Sequence, residues 1–242
     1  FTARQIIELT REVIRKNILD AALYVQNELD VDLIQLGALT TSVTDGGVWV
    51  TKQKEYTGYV NHGDSYTAAV TCQTVIKALN FFNRESIDQV LAIVGAYGVI
   101  GEAISKILVP QFKHSILIGR REEKLQELKM LLKGNFETTT DIKTKNADIV
   151  VTATSHPTAL LNSNHLKKNA IIVDVSQPPN LSYELCQKRP DIHRVDGGLV
   201  NFPTRIPIPT MPVGKNFACI VEAIMQSLEN ERENHVGSID LN

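Results

Sequence analysis

Residues 91–121, LAIVGAYGVIGEAISKILVPQFKHSILIGRR, constrain the fold of this 242-residue chain more than any other stretch. An apolar run, 91–94, meets Gly95, Gly98 and Gly101. An amphipathic segment follows, then a second apolar run, 115–118, that stops at Arg120 and Arg121. Glycines at this spacing let a strand turn sharply into a helix, and they bring that helix's free amides close to a phosphate. Small residues alone also permit close packing with no ligand; the order strand, glycine loop, helix, strand is what points to nucleotide binding. Gly95, Tyr97, Gly98, Val99, Ile100 and Gly101 are therefore expected to line a pyrophosphate. Where an NAD-binding chain usually carries an acidic residue for the ribose hydroxyl, this one carries Arg120 and Arg121. Guanidinium groups suit a 2′-phosphate, so the expected cofactor is NADPH.

Alternation of strand and helix begins near residue 90. Strands are expected over 90–94, 115–118, 148–152, 170–175 and 192–195, with helices over 98–108 and 122–132. This order predicts an α/β fold: a doubly wound, mostly parallel Rossmann sheet. Its carboxyl edge, where open sheets bind ligands, would place Thr152, Ala153, Thr154, Val175 and Ser176 beside the cofactor. Gly197 and Gly198 either make a tight turn or let backbone approach the nicotinamide. Ahead of the sheet, 3–28 has helical apolar spacing, 32–44 is mixed, and 66–82 is helical again. The proline-bearing stretch 201–214 (Pro203, Pro207, Pro209, Pro212) is expected to be a loop, and a last helix to cover 216–233. The organisation expected is an N-terminal helical and mixed, substrate-side segment (1–88), an NADP-binding Rossmann domain (89–214) and a C-terminal helical segment (215–242).

A net charge of −2 gives no reason to expect nucleic acid, whose binders usually show a basic stripe. No apolar run approaches the roughly 20 residues needed to span a bilayer. Three cysteines, Cys72, Cys186 and Cys219, at unrelated spacings argue against a disulfide framework and fit a reducing, cytoplasmic setting. His114, His156, His165, His193 and His235 show no ligand spacing, so no metal site is expected and surface or capping roles are. The chain begins at Phe1, which points to a natural N-terminus further upstream.

Cys219 stands out for chemistry. In the last helix, Phe217, Ile220, Val221, Ile224, Met225 and Leu228 form an apolar stripe, and Cys219 falls nearly opposite it beside Glu222 and Gln226. It also lies in the first turn, where free amides and the helix dipole favour a thiolate, with Lys215 nearby in sequence. Two readings stay open on the residues alone: a nucleophile, or a small residue facing another helix or domain.

HGDSYTAAVTCQTVIKAL, VLAIVGAYGVIGEAISKIL, LIGRREEKL, ADIVVTATS, IIVDVSQPPNL, VDGGLV and NFACIVEAIM together resemble the cyanobacterial-type long-chain acyl-(acyl carrier protein) reductases. The likeness runs from near Val13 to about Glu229. It implies NADPH-dependent reduction of an acyl thioester, on acyl carrier protein or CoA, to a fatty aldehyde, with Cys219 as the acylated nucleophile. Backbone amides at the start of the cysteine helix would hold the oxyanion, with His62 or Ser65 of the HGDSYT segment assisting; a loop histidine bonded to nearby backbone is the other reading of His62. Tyr97 and Val99 stand where the family carries threonine and aspartate, and the family is longer at both ends. An acidic carrier would dock on a basic face, and Arg4, Arg11 and Arg15 either form one or make a solvated helix face. Apolar helix faces before residue 90 leave room for an acyl chain, packing on the sheet or a homo-oligomer. Two rival functions are an NADP-dependent dehydrogenase of a free keto or hydroxy acid, like shikimate dehydrogenase, and a non-catalytic NADP-binding module.

Overall fold

The computed structural model describes residues 2–203 and 212–241, so residues 204–211 of the expected proline-bearing loop lie outside the described residues. In chain order the elements are α1 (Ala3–Glu8), α2 (Arg11–Leu29), β1 (Leu33–Gln35), α3 (Leu39–Val43), α4 (Val48–Thr51), β2 (Tyr59–Asn61) and α5 (Asp64–Phe81). There follow β3 (Val90–Val94), α6 (Val99–Leu108), β4 (His114–Ile118), α7 (Glu122–Leu131), β5 (Phe136–Thr139), β6 (Ile149–Thr152), β7 (Ile171–Asp174), α8 (Tyr183–Lys188) and β8 (His193–Asp196). The chain closes with β9 (Leu199–Asn201), β10 (Lys215–Phe217) and α9 (Ala218–Leu228). Residues 1–66 and 199–242 form one compact unit and residues 67–198 a second.

The second unit is built on a six-stranded sheet in the order β5-β4-β3-β6-β7-β8, every pair parallel. Numbered among themselves these strands run 3-2-1-4-5-6, the doubly wound order whose crevice opens where the winding reverses, between β3 and β6. The inner strands β6 and β7 are buried throughout, as a sheet covered on both faces requires. Ala92, Val94, Val150 and Ile172 share one apolar cluster there with Leu161, Leu166 and Leu181. The expected strands and both helices are present within a residue or two of their expected ends. β5, a polar four-residue edge strand, and the six-residue α8 lack the periodicity that would have announced them.

In the first unit, Ile14, Ile18 and Ala22 of α2 pack with Leu36, Val50, Tyr56 and Val60. The helical stretch expected over 3–28 breaks at Thr10, whose hydroxyl caps α2 by accepting from the Val13 amide. β1 and β2 pair in parallel, and β9 pairs antiparallel with β10. That last ladder takes residues 216 and 217 out of the expected final helix, which ends at Leu228 rather than 233.

Candidate functional site

In the second unit the glycine loop lies at the switch point. Gly95 adopts φ +90°, and a β-carbon there would sit 2.3 Å from the Ala153 carbonyl oxygen, so the turn after β3 accepts no side chain. A β-carbon at Gly101 would sit 2.0 Å from the Gly95 carbonyl oxygen, which is the close strand–helix packing the third glycine permits. Gly98 is the N-cap of α6 with no side-chain cap, and the amides of Val99, Ile100 and Gly101 find no acceptor among the described residues. Three free amides at a helix N-terminus fit a diphosphate. At the end of β4, the Tyr97 hydroxyl accepts from the Arg120 amide at 3.1 Å and its ring faces the Arg121 guanidinium at 5.5 Å. Both arginines are exposed, and Arg121 lies at a loose 3.9 Å from Glu123.

The other edge residues are more committed. Thr152 is fully buried and its hydroxyl donates to Asp174 Oδ1 at 2.6 Å. The Thr154 hydroxyl donates to Asn180, and the Thr154 amide donates to Ser176 Oγ. These side chains join a polar network round Asp174 and Asn180, and the amides of Ala153 and Val175 donate to the Val94 and Thr152 carbonyls. Gly197 is a glycine for packing: a β-carbon would sit 2.6 Å from Val175 Cγ2 and 2.8 Å from Val173 Cγ1. A β-carbon at Gly198 would make only ordinary contact, 3.9 Å from Val175 Cγ1, and neither glycine has positive φ.

In the first unit Cys219 is the second residue of α9, as its first-turn position predicts. The polar side of the helix is not its solvent side. Glu222 and Gln226, beside Cys219, are buried, as is Val221 of the apolar stripe, whereas Met225 and Leu228 of that stripe are exposed. The reason is polar pairing: Gln226 Oε1 accepts from Asn61 Nδ2 at 2.8 Å, and Glu222 Oε2 accepts from the Tyr66 amide at 2.7 Å. The expected thiolate is also corrected. Burial, with the charge of Asp64 adding to it, pushes the thiol up to about 11 and outweighs the amides of Ile220 and Cys219. Lys215 is not among the groups acting on it; its ammonium donates to Asn201 Oδ1 across the β9–β10 hairpin.

Gly63 lies against Cys219, and its own amide donates to Asn61 Oδ1 at 2.6 Å. His62 is buried; its Nδ1 accepts from the Asp64 amide at 3.1 Å, which leaves the proton on Nε2, an atom with no hydrogen-bond partner among the described residues. Burial lowers its pKa, so the ring is a neutral donor. Ser65 is half-buried in the first turn of α5, its hydroxyl without a partner among the described residues.

Three groups that sequence reasoning did not assign belong to this cluster. Asp64 is buried, and desolvation, followed by the charge of Glu222, raises its carboxyl to about 7. Glu222 was visible beside Cys219 on the helix, but not its bond to α5. His235, expected in a surface or capping role, approaches Glu222 Oε1 at 3.3 Å and Glu231 at 3.2 Å through its two ring nitrogens. Nothing in its spacing could have shown this. Cys72 and Cys186 belong to the second unit, and burial raises both thiols. The basic face on α1 and α2 is largely neutralised: Arg11 and Arg15 both bind Asp45, Arg15 stacks on Trp49, and Arg4 pairs with Glu8. Among the described residues no group of three or more His, Cys, Asp or Glu side chains could hold a metal ion, and no helix is long and apolar enough to cross a membrane.

The shikimate/quinate 5-dehydrogenase family model matches residues 77–196, all within the second unit. The chain is 26% identical over 182 residues to a long-chain acyl-[acyl-carrier-protein] reductase of Synechococcus elongatus, covering 71% of this chain and 53% of that protein. It is 24% identical over 215 residues to the aminotransferase PigE of a Serratia species, covering 84% of this chain and 25% of that protein. The chain thus spans about half, or a quarter, of the curated relatives it matches. A solved nucleotide-binding domain of glutamyl-tRNA reductase from Thermoplasma volcanium aligns with a TM-score of 0.41 at 17% identity, covering 68% of this chain and 96% of that one. With the strand order and glycine loop, the class defined is an oxidoreductase-type Rossmann domain of the NAD(P)-binding kind.

Proposed function

We propose that this protein reduces an acyl thioester, on acyl carrier protein or CoA, to an aldehyde with NADPH, through a thioester on Cys219. The observation carrying this reading is Cys219 itself: a thiol in the N-terminal turn of α9, packed against Gly63 within a buried cluster of carboxyl and imidazole groups. The likeness to the Synechococcus reductase supports it.

Gly95, Gly98 and the amides of Val99, Ile100 and Gly101 would hold the diphosphate, and Arg120 and Arg121 the 2′-phosphate, with Tyr97 fixing the backbone between them. Bound reduced nicotinamide supplies a hydride. The chain's own residues do the rest. Cys219 Sγ attacks the carbonyl carbon, the bond to the carrier sulfur breaks, and the carrier leaves as a thiol. The oxyanion is met by the amides at the start of α9, with the His62 Nε2 proton or the Ser65 hydroxyl as further donors. After reduction the thiohemiacetal on Cys219 collapses, releasing aldehyde and regenerating the thiol.

Shikimate-type reduction of a free keto acid is the second reading, favoured by the family model over 77–196. That match reaches none of the Cys219 cluster, and no lysine is among the buried residues described. NADPH oxidation with palmitoyl-CoA, with aldehyde trapped as its hydrazone, separates the two. Loss of both signals in Cys219→Ala supports the thioester reading; turnover of a keto acid that survives Cys219→Ala supports the other.

A further inference from the structure

Asn180, between β7 and α8, is fully buried, and groups from two loops converge on it. Its carboxamide oxygen accepts the Thr154 hydroxyl at 2.6 Å and the Ser176 hydroxyl at 3.0 Å. Its main-chain carbonyl accepts the amides of Leu160 and Leu161 at 2.9 and 3.0 Å. The Thr154 amide closes the ring by donating to Ser176 Oγ at 3.0 Å. One residue thereby joins the loop that follows β6 to the loop that follows β7. Its Nδ2 is buried and has no partner among the described residues. A buried donor left unpaired is costly, so a side chain present only to fill this space would be apolar. What the asparagine supplies is one oxygen that two hydroxyls share.

Those bonds decide which way Thr154 faces. Its hydroxyl is used twice, accepting from the His156 amide at 3.2 Å and donating to Asn180. Its methyl is turned to the glycine loop, where a β-carbon at Gly95 would lie 3.0 Å from Thr154 Cγ2. Thr154 is thus where the loop after β6 packs on the loop after β3, at the switch point of the sheet. The loop after β7 is fixed as well, because the Asp174 carboxylate accepts from the Ser176 and Leu181 amides. A dinucleotide lies across such a crevice with one half over each set of three strands. Arg120 follows β4, on the adenosine side, whereas Thr154 and Ser176 follow β6 and β7, on the nicotinamide side.

We propose that Asn180 is the positioning residue for the nicotinamide half of the bound dinucleotide. It acts through Thr154 and Ser176, holding the two loops together and Thr154 in one rotamer, so that binding does not have to order them. This rests on the NADPH reading above and is independent of the role of Cys219.

Calorimetric titration of the full chain with NADPH and, separately, with 2′,5′-ADP, which carries the adenosine half alone, tests this. Asn180→Ala is expected to weaken NADPH at least about fivefold while 2′,5′-ADP stays within about twofold of wild type. Thr154→Val keeps the methyl on Gly95 and deletes only the hydroxyl, so it carries the test if the alanine variant does not fold. Its expected loss for NADPH is at least about threefold, with the same sparing of 2′,5′-ADP. Where both fold, the double variant binds NADPH within about twofold of Asn180→Ala, because the two residues act through one bond. A merely structural role would lower the urea midpoint and move both ligands alike. Equal losses for the two ligands, no loss for NADPH, or additive losses in the double variant overturn the proposal. If wild type binds neither ligand, the nucleotide reading itself fails and the proposal falls with it.

Discussion

Gly63 and Cys219 are in contact through their backbones: a β-carbon at Gly63 would lie 2.4 Å from Cys219 Cα and 2.7 Å from its carbonyl oxygen, and Gly63 itself adopts φ +71°. Neither the space nor the conformation accepts a side chain. Gly63→Ala is therefore expected to cost about 2–4 kcal/mol of stability, through a strained backbone and overpacking together. Urea unfolding measures this, and an unchanged midpoint would refute the contact.

Asp64 makes stability depend on pH with a defined sign. Its folded carboxyl is raised to about 7, from an ordinary value of 3.8, so between those limits the folded state holds a proton the unfolded chain has lost. Stability contributed by this group then falls as pH rises from about 4 to about 7. Asp64→Asn removes the penalty, so the variant is more stable than wild type at pH 8, on the order of 2–4 kcal/mol, and not at pH 4. Urea titrations at the two pH values check this difference.

His235 gives a pH dependence of the same sign from a different cause. Burial works against its charge, but hydrogen bonds to Glu222 and Glu231 hold its pKa above the usual value. The stabilisation from this arrangement is present below about pH 6.5 and is lost as pH rises through the folded pKa. Glu222→Gln keeps an acceptor for the Tyr66 amide and removes the charge beside His235. The His235 resonance in a proton NMR titration is then expected to shift to a lower midpoint.

Tyr97 ties the glycine loop to the arginines through its hydroxyl and ring. Arg120→Ala and Arg121→Ala are expected to weaken binding of 2′,5′-ADP about tenfold or more, with little change for AMP, when titrated calorimetrically. Tyr97→Phe, which deletes only the acceptor for the Arg120 amide, is expected to lose a few-fold on the same ligand. Equal losses for both nucleotides would contradict a 2′-phosphate site.

Much of the second unit was legible because its signals are local. Apolar runs bounded by glycine, such as 90–94 running into Gly95, encode a buried strand and its turn within a few residues. β5 was not, since FETT at a sheet edge carries no apolar period. The Cys219 cluster was legible only in part. Cys219 could be placed in a first turn from its neighbours, but the burial that raises its thiol comes from pairings such as Gln226 with Asn61, 165 residues away. Helical periodicity assigned the apolar stripe to the core; the amide of Tyr66 and the side chain of Asn61 instead drew the polar side inward. Asp64 reads in sequence as an ordinary first-turn acid, and only its burial sets it apart.

Cys219 is proposed to carry the acyl group that NADPH reduces. The most direct measurement of this is the intact mass of the protein after incubation with palmitoyl-CoA, before and after NADPH is added. One acyl adduct is expected on wild type, none on Cys219→Ser, and discharge of the adduct as aldehyde when NADPH arrives. No adduct across several acyl lengths, or one that persists on Cys219→Ser, would contradict it.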